Sequence, residues 1–206
     1  MRIGLDLDNT IICYDALFHR VARESGLIPA SVAASKGAVK AWIVAHHGND
    51  VWTELQAEVY GPRLQDACAY PGALEFVLRC RGLGHAFVIL SHKTQFPARG
   101  VRCDLRLVAT RWLEAKKWFG PGAIAPEDVE FHSTRSDKVR AIAARRCDVF
   151  VDDLPEVFAE AGFPPTTKRI LFDPDGLHID SSGPSRAESW EAVARHILAG
   201  ETFRCA

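Results

Sequence analysis

Arg2-Ile3-Gly4-Leu5-Asp6-Leu7-Asp8-Asn9-Thr10 opens the chain as an alternating apolar run that ends in two acids. The alternation predicts a strand over Arg2 to Asp8. Residues i and i+2 of a strand face the same side, so Asp6 and Asp8 project near each other where the chain leaves the sheet. A second apolar run, Val149-Phe150-Val151, ends in the same way with Asp152-Asp153. Taken alone, either pair is what a turn or a helix cap uses. Taken together they are hard to explain as packing, because two unit charges about 5 Å apart repel by about 3 kcal/mol at an effective dielectric of 20. A bound cation removes the conflict. Mg²⁺ suits it: a hard ion that takes one or two carboxylates, keeps several waters and shares its shell with a substrate phosphate.

Working outward, further apolar runs predict strands at His85 to Ser91, Val129 to His132, Asp148 to Asp152 and Lys168 to Phe172. Helical patterns fall between them at Gly72 to Arg81, Val108 to Phe119 and Asp137 to Arg146, with shorter ones at Pro155 to Ala161 and Glu188 to Leu198. Alternation of this kind predicts an α/β fold with a five-stranded, mainly parallel sheet between helical layers, Rossmann-like in arrangement. In open sheets of this type, ligands bind beyond the carboxyl ends of the strands, where all four acids sit. One gap breaks the rhythm. Roughly sixty residues separate the first strand from Pro71-Gly72, whereas a βα connection is usually about 2 to 6 residues long. The intervening pattern is helical, over Leu17 to Glu24, Ser31 to His46 and Asp50 to Tyr60. We therefore expect a core of residues 1–13 and 70–206 carrying a helical cap of residues 14–69.

Composition sets the outer bounds. Of 206 residues, 48% are hydrophobic and 25% charged, as in an ordinary globular protein. Lys plus Arg number 25 against 26 Asp plus Glu, a net charge of -1 that supplies no global field toward nucleic acid or an anionic membrane. Neither is expected as a partner. The longest apolar stretches, such as Ala41 to Ala45 and Ala86 to Leu90, fall far short of the roughly 18 residues that span a bilayer. Cys13, Cys68, Cys80, Cys103, Cys147 and Cys205 form no C-x-x-C pair, so reduced thiols and a cytoplasmic setting are expected. Oligomeric state is not legible.

Two residues extend the acidic site. Ser91 ends the second core strand, and Lys138 opens the helix before the Asp152 strand. A hydroxyl can donate to a phosphoryl oxygen, and an ammonium is a compact positive charge for the same group. Each alone is weak, since a strand-end Ser is usually a turn residue and a first-turn Lys is usually solvated. As an ordered set, Asp6-x-Asp8-x-Thr10, Ser91, Lys138 and Asp152-Asp153 resemble the four motifs of the haloacid dehalogenase (HAD) superfamily, over the core from Asp6 to about Asp173. The Tyr70-Pro71-Gly72-Ala73 segment leading to Ser91 is also similar to that family's.

The resemblance implies a Mg²⁺-dependent phosphatase of a small phosphorylated metabolite, a sugar phosphate or a nucleotide. Asp6 would be the nucleophile that forms an aspartyl phosphate, and Asp8 the general acid and base. Mg²⁺ would be held by Asp6, the backbone carbonyl of Asp8, and Asp153 with Asp152 supporting, while Ser91 and Lys138 hold the phosphoryl oxygens. Members that displace halide lack the second Asp, so Asp8 favours phosphate ester chemistry. A phosphotransferase or mutase using the same intermediate, or a non-catalytic binding protein on this fold, are the alternatives. After Ser91 the family often has Asn or another small polar residue, but here His92-Lys93-Thr94 follows. His92 and Lys93 are thus either loop residues or contacts to the substrate beyond its phosphate. In the cap, Lys36, Lys40, His46, His47, Asp50, Trp52 and Arg63 are further candidates, with Trp42 and Trp52 expected in the cap's own core.

Overall fold

The structure, a computed structural model, describes residues 1–178 and 183–199. In chain order its elements are β1 (Arg2–Leu5), β2 (Ile12–Cys13), α1 (Asp15–Glu24), α2 (Lys36–His47), α3 (Asn49–Tyr60), β3 (Cys68–Ala69), α4 (Ala73–Gly82) and β4 (Ala86–His92). They continue with α5 (Leu105–Ala115), β5 (Val129–His132), α6 (Arg135–Ala144), β6 (Val149–Asp152), α7 (Pro155–Phe158), β7 (Lys168–Phe172), β8 (Ser185–Ala187) and α8 (Trp190–Leu198). Two compact units result. One contains Met1–Ile11, Tyr70–His92 and the described residues from Gly120 on; the other contains Ile12–Ala69 and Lys93–Phe119.

The first unit is an α/β sandwich around a parallel sheet in the order β5-β4-β1-β6-β7-β8. The sheet therefore has six strands where the sequence led us to expect five. The addition is β8, whose three residues, Ser185-Arg186-Ala187, carry no apolar alternation and are ordered by pairing with β7. Strands covered on both faces are near-continuous apolar runs, and Ile3, Leu5, Phe87 through Leu90 and Phe150 are accordingly buried. On one face Val139 and Ile142 of α6 and Val157 and Phe158 of α7 pack on Val88, Leu90, Phe150 and Leu171. Across the sheet, Phe76 of α4 meets Phe87 at 5.9 Å and Trp190 of α8 at 5.2 Å, and Phe172 lies 5.7 Å from Trp190. Gly4 is small of necessity: a Cβ there would press into the Phe150 ring and come within 2.9 Å of Cys147 Sγ.

The second unit holds α1, α2, α3, α5 and the β2–β3 antiparallel pair. Its centre is aromatic. Phe18 stacks on Trp52 at 4.9 Å, and Tyr60 meets Tyr14 and Phe18 edge-on at 4.8 and 5.6 Å. Residues 93–119, expected with the core, group here instead with residues 12–69. The cause is the apolar face of α5. Leu105, Ala109, Trp112 and Leu113 are buried, and the Trp112 indole donates to the Ala67 carbonyl at 3.1 Å. Gly61 also lies so close to Cys103 that a Cβ would sit 2.5 Å from its sulfur.

Among the described residues no helix is long and apolar enough to cross a membrane. Cys13, Cys68, Cys80, Cys103 and Cys147 are not in disulfides, and Cys205 lies outside the described residues.

Candidate active site

Strand β1 ends at Leu5, yet its ladder runs one step further, for the Asp6 N–H donates to the Val151 carbonyl at 2.9 Å. That bond sets Asp6 beside the end of β6, which finishes at Asp152. Asn9 then takes a left-handed conformation at φ 57°, a region Asn tolerates better than most residues, and the Ile11 N–H closes back on the Leu7 carbonyl at 3.0 Å. The Thr10 carbonyl accepts from the Trp190 indole at 3.2 Å, which anchors the turn to α8.

The third contributor is α6. Its N-cap is Thr134, whose hydroxyl oxygen accepts from the Asp137 N–H at 3.0 Å, so one orphan amide of the first turn is satisfied. The same hydroxyl bonds the Asp137 carboxylate at 2.6 Å and, first among several causes, holds that acid below its usual value. The capped first turn delivers Lys138, only 1% exposed, to the carboxylates. Its ammonium donates to Asp6 Oδ1 and, at 2.6 Å, to Asp152 Oδ2. The other Asp152 oxygen accepts from the Leu154 N–H at 3.0 Å, so both of its oxygens are engaged.

Asp6, Asp152 and Asp153 each bring a carboxylate oxygen within 4.8 Å of the others. One lysine does not neutralise three acids. Burial pushes the Asp6 carboxyl well above the ordinary range; Lys138 pulls it down, while Asp152, Asp153 and Asp8 add to the rise. For Lys138, burial alone would lower the ammonium, but Asp152 and Asp6 outweigh it and hold the group above the ordinary lysine value. An all-oxygen donor set carrying excess negative charge fits a hard divalent cation of the size and preference of Mg²⁺. The Asp8 carboxylate is not part of this trio.

Two buried hydroxyls lie in the same unit with their hydrogen-bonding capacity unused. Ser91, near the end of β4, is fully buried, and its Oγ has no partner among the described residues; the same is true of Thr10 Oγ1. Buried polar atoms normally find a partner, so such exceptions mark a place where a ligand or water belongs. Arg135 went unnoticed in the sequence. It is the first residue of α6, one turn before Lys138, and its buried Nε is also without a partner among the described residues.

The remaining candidates are dispersed. The exposed His92 sets its Nε2 3.2 Å from the Ser133 carbonyl. Lys93 belongs to the second unit, where it is 5% exposed and its ammonium lies 5.2 Å from the centre of the Tyr60 ring. Trp52 is core, as expected; Trp42 is half-buried and stacks on His46 at 3.9 Å. Arg63 is tied to Glu24 and Asp66, Asp50 to Arg99, and the His47 ring to the Leu27 carbonyl. Lys40 is exposed. Asp173 closes its own turn by accepting from the Leu177 and His178 amides.

No protein-family model matches the sequence, and neither does any curated protein. Solved structures do match. The HAD-hydrolase YfnB of Bacillus subtilis, in a magnesium-bound crystal form, aligns over 96% of this chain and 97% of its own with a TM-score of 0.61 at 15% identity. A dehalogenase aligns over 95% and 96% with a TM-score of 0.59 at 13% identity. A HAD family hydrolase of Deinococcus radiodurans, with phosphate and sodium bound, covers 100% and 98% with a TM-score of 0.54 at 16% identity. The fold of this chain is that of the HAD-superfamily hydrolases.

Proposed function

We propose that the chain is a phosphoric monoester hydrolase that acts on a small phosphorylated metabolite with Mg²⁺ as its cofactor. The observation that carries this reading is the convergence of the Asp6, Asp152 and Asp153 carboxylates, with Lys138 bonded to Asp6 and Asp152, beside a loop that holds a second acid two residues after Asp6. Hydrolases and dehalogenases both occur among the structures of this fold, so the fold leaves the leaving group open. Asp8 favours phosphate. A leaving alkoxide needs a proton and a leaving halide does not, and a carboxyl two residues from the nucleophile is suited to supply one.

The steps follow from the residues. An Asp6 carboxylate oxygen attacks phosphorus and the ester oxygen departs, taking a proton from Asp8. The resulting acyl phosphate is then attacked by water, whose proton passes to the Asp8 carboxylate. This second attack releases inorganic phosphate and restores Asp6. Attack requires Asp6 ionised, a state that burial opposes and Lys138 favours. Lys138 and the Ser91 hydroxyl donate to the phosphoryl oxygens, for phosphoryl transfer is catalysed mostly by positioning and charge stabilisation. Asp6, Asp153 and the Asp8 carbonyl would hold Mg²⁺, which when bound would offset the charge of the acids and of the phosphoryl group. Asp152, with one oxygen on Lys138 and the other on the Leu154 N–H, is suited to anchor Lys138.

The test is phosphate release from a panel of phosphorylated metabolites, with Mg²⁺ or with chelator, in wild type and in Asp6→Asn. Release that needs Mg²⁺ and falls to background in the variant is expected. Release that survives the substitution would remove Asp6 as nucleophile and the mechanism with it.

A further inference from the structure

The first turn of α6 holds a donor that the fold does not satisfy. Arg135 is half-buried, and its Nε is enclosed without a partner among the described residues. The acids tied to this helix are committed elsewhere: Asp137 to the Thr134 hydroxyl and Arg140, Glu160 to the Ser136 hydroxyl, and Asp128 and Glu130 to Arg145. A buried donor left unmade is costly, and more so on a charged group.

The position of Arg135 says what would satisfy it. Strand β5 ends at His132 and α6 begins at Arg135, so the first turn of the helix lies at the carboxyl end of the sheet. The His92 ring, bonded to the Ser133 carbonyl at 3.2 Å, ties the end of β4 to the same corner. Residues i and i+3 of a helix share a face, with side chains tilted toward its N-terminus. Arg135 therefore stands about 4.5 Å along the axis outward of Lys138, on the face that meets Asp6. Ser91, in register with Phe131 on the neighbouring strand, ends β4 with a second unsatisfied group, an Oγ that is fully buried. A buried donor of full charge and a buried hydroxyl at the ends of adjacent strands suit an oxyanion. Charge balance asks for one. The Lys138 ammonium is already shared by Asp6 and Asp152, and with one divalent cation it only balances the three clustered acids. A phosphoryl group brings roughly two further negative charges.

We propose that Arg135 is a second cation for the substrate's phosphoryl group, donating to its oxygens from the side opposite Asp6 while Lys138 stays bound to the acids. The proposal rests on the phosphatase reading and deepens it: the group recognised is the phosphoryl itself, not a further anion on the leaving group. A guanidinium suits this role because its planar fork can reach two oxygens at once.

Calorimetric titration of inorganic phosphate into the Mg²⁺-loaded protein tests it. Wild type should bind phosphate, and Arg135→Gln should bind it about tenfold to a hundredfold more weakly, the worth of a charge-assisted hydrogen bond. Arg135→Lys, which keeps the charge and loses the fork, should fall between them. The melting temperature of Arg135→Gln without phosphate should be no lower than that of wild type, and its Mg²⁺ affinity unchanged; a merely structural arginine would lower the first. With 4-nitrophenyl phosphate, whose leaving group carries no second anion, KM should rise by about the same factor as phosphate affinity falls. Equal phosphate affinity in wild type and Arg135→Gln, or no phosphate binding by wild type, overturns the proposal. Mg²⁺- and Asp6-dependent hydrolysis alongside equal affinities would leave the phosphatase reading standing without it. Loss of phosphate binding in Arg135→Gln when no ester is hydrolysed would do the reverse.

Discussion

Asp6→Asn should make the metal-free protein more stable while removing most of its response to Mg²⁺. With Asp6, Asp152 and Asp153 oxygens within 4.8 Å of one another, each ionised pair repels by about 3.5 kcal/mol at an effective dielectric of 20. Asp6 takes part in two such repulsions. The contact with Lys138 offsets most of that, and the cost of burying the carboxylate, several kcal/mol for an ion, is left over. A carboxyl raised above its ordinary 3.8 favours the folded state only while protonated. That contribution is complete below the unfolded value and disappears as pH climbs through the folded one, so at neutral pH the ionised group is a net burden. Replacing it by a neutral isostere should gain about 1 to 3 kcal/mol in chelator, or roughly 2 to 12 °C in melting temperature for a chain of this length. Mg²⁺ at a hundredfold excess over its Kd should stabilise wild type by about 2.7 kcal/mol, and the variant by less than half as much once a ligand is gone. Thermal melts of both proteins in chelator and in Mg²⁺ decide the matter. A variant that melts below wild type in chelator would mean the Lys138 ion pair dominates. Equal Mg²⁺ responses would mean that the cation, if bound, does not use Asp6.

Acidification from neutral pH should weaken Mg²⁺ binding more steeply than at an ordinary carboxylate site, because a raised Asp6 carboxyl must lose its proton to bind; calorimetry in buffers of different ionisation enthalpy should read net proton release. Asp8→Asn should fold and bind Mg²⁺ like wild type while turnover falls by about 10²- to 10⁴-fold, as measured by steady-state phosphate release. Gly4→Ala should cost about 1 to 3 kcal/mol in urea melts, since its methyl meets the Phe150 ring and the Cys147 sulfur. Trp112→Phe strands the Ala67 carbonyl and should cost about 1 to 3 kcal/mol, with hydrogen exchange quickening across residues 12–69.

Much of the first unit was legible because its strands follow a simple rule. A parallel strand covered on both faces must be apolar throughout, and Phe87 to Leu90 or Val149 to Val151 can scarcely be read otherwise. The acids at the ends of β1 and β6 were visible for the converse reason, as charges where a buried strand stops. Short elements were not legible. β2, β3 and β8 contain two or three residues each, and a strand of that length is made by its partner's hydrogen bonds rather than by its own pattern. Arg135 was hidden because an arginine at a helix start is ordinarily solvated, and only its buried Nε distinguishes it. Trp112 shows a third kind of failure: its apolar face was evident, but not which unit would cover it.

By itself, then, the sequence determined the α/β class, the strand-end placement of Asp6, Asp152 and Asp153, and the helical character of the long insert, whereas β1 stops at Leu5, short of the Asp8 expected to end it. All of these depend on local periodicity and on the cost of burying charge, which a linear pattern records. The tertiary structure alone decided that Lys138 bridges Asp6 and Asp152, that Ser91 Oγ is left without a partner among the described residues, and that residues 93–119 join the second unit. It also brought Lys36 and Lys93 to one tyrosine. These facts join residues many positions apart, and chain order carries no distance between such residues until the core has closed around them.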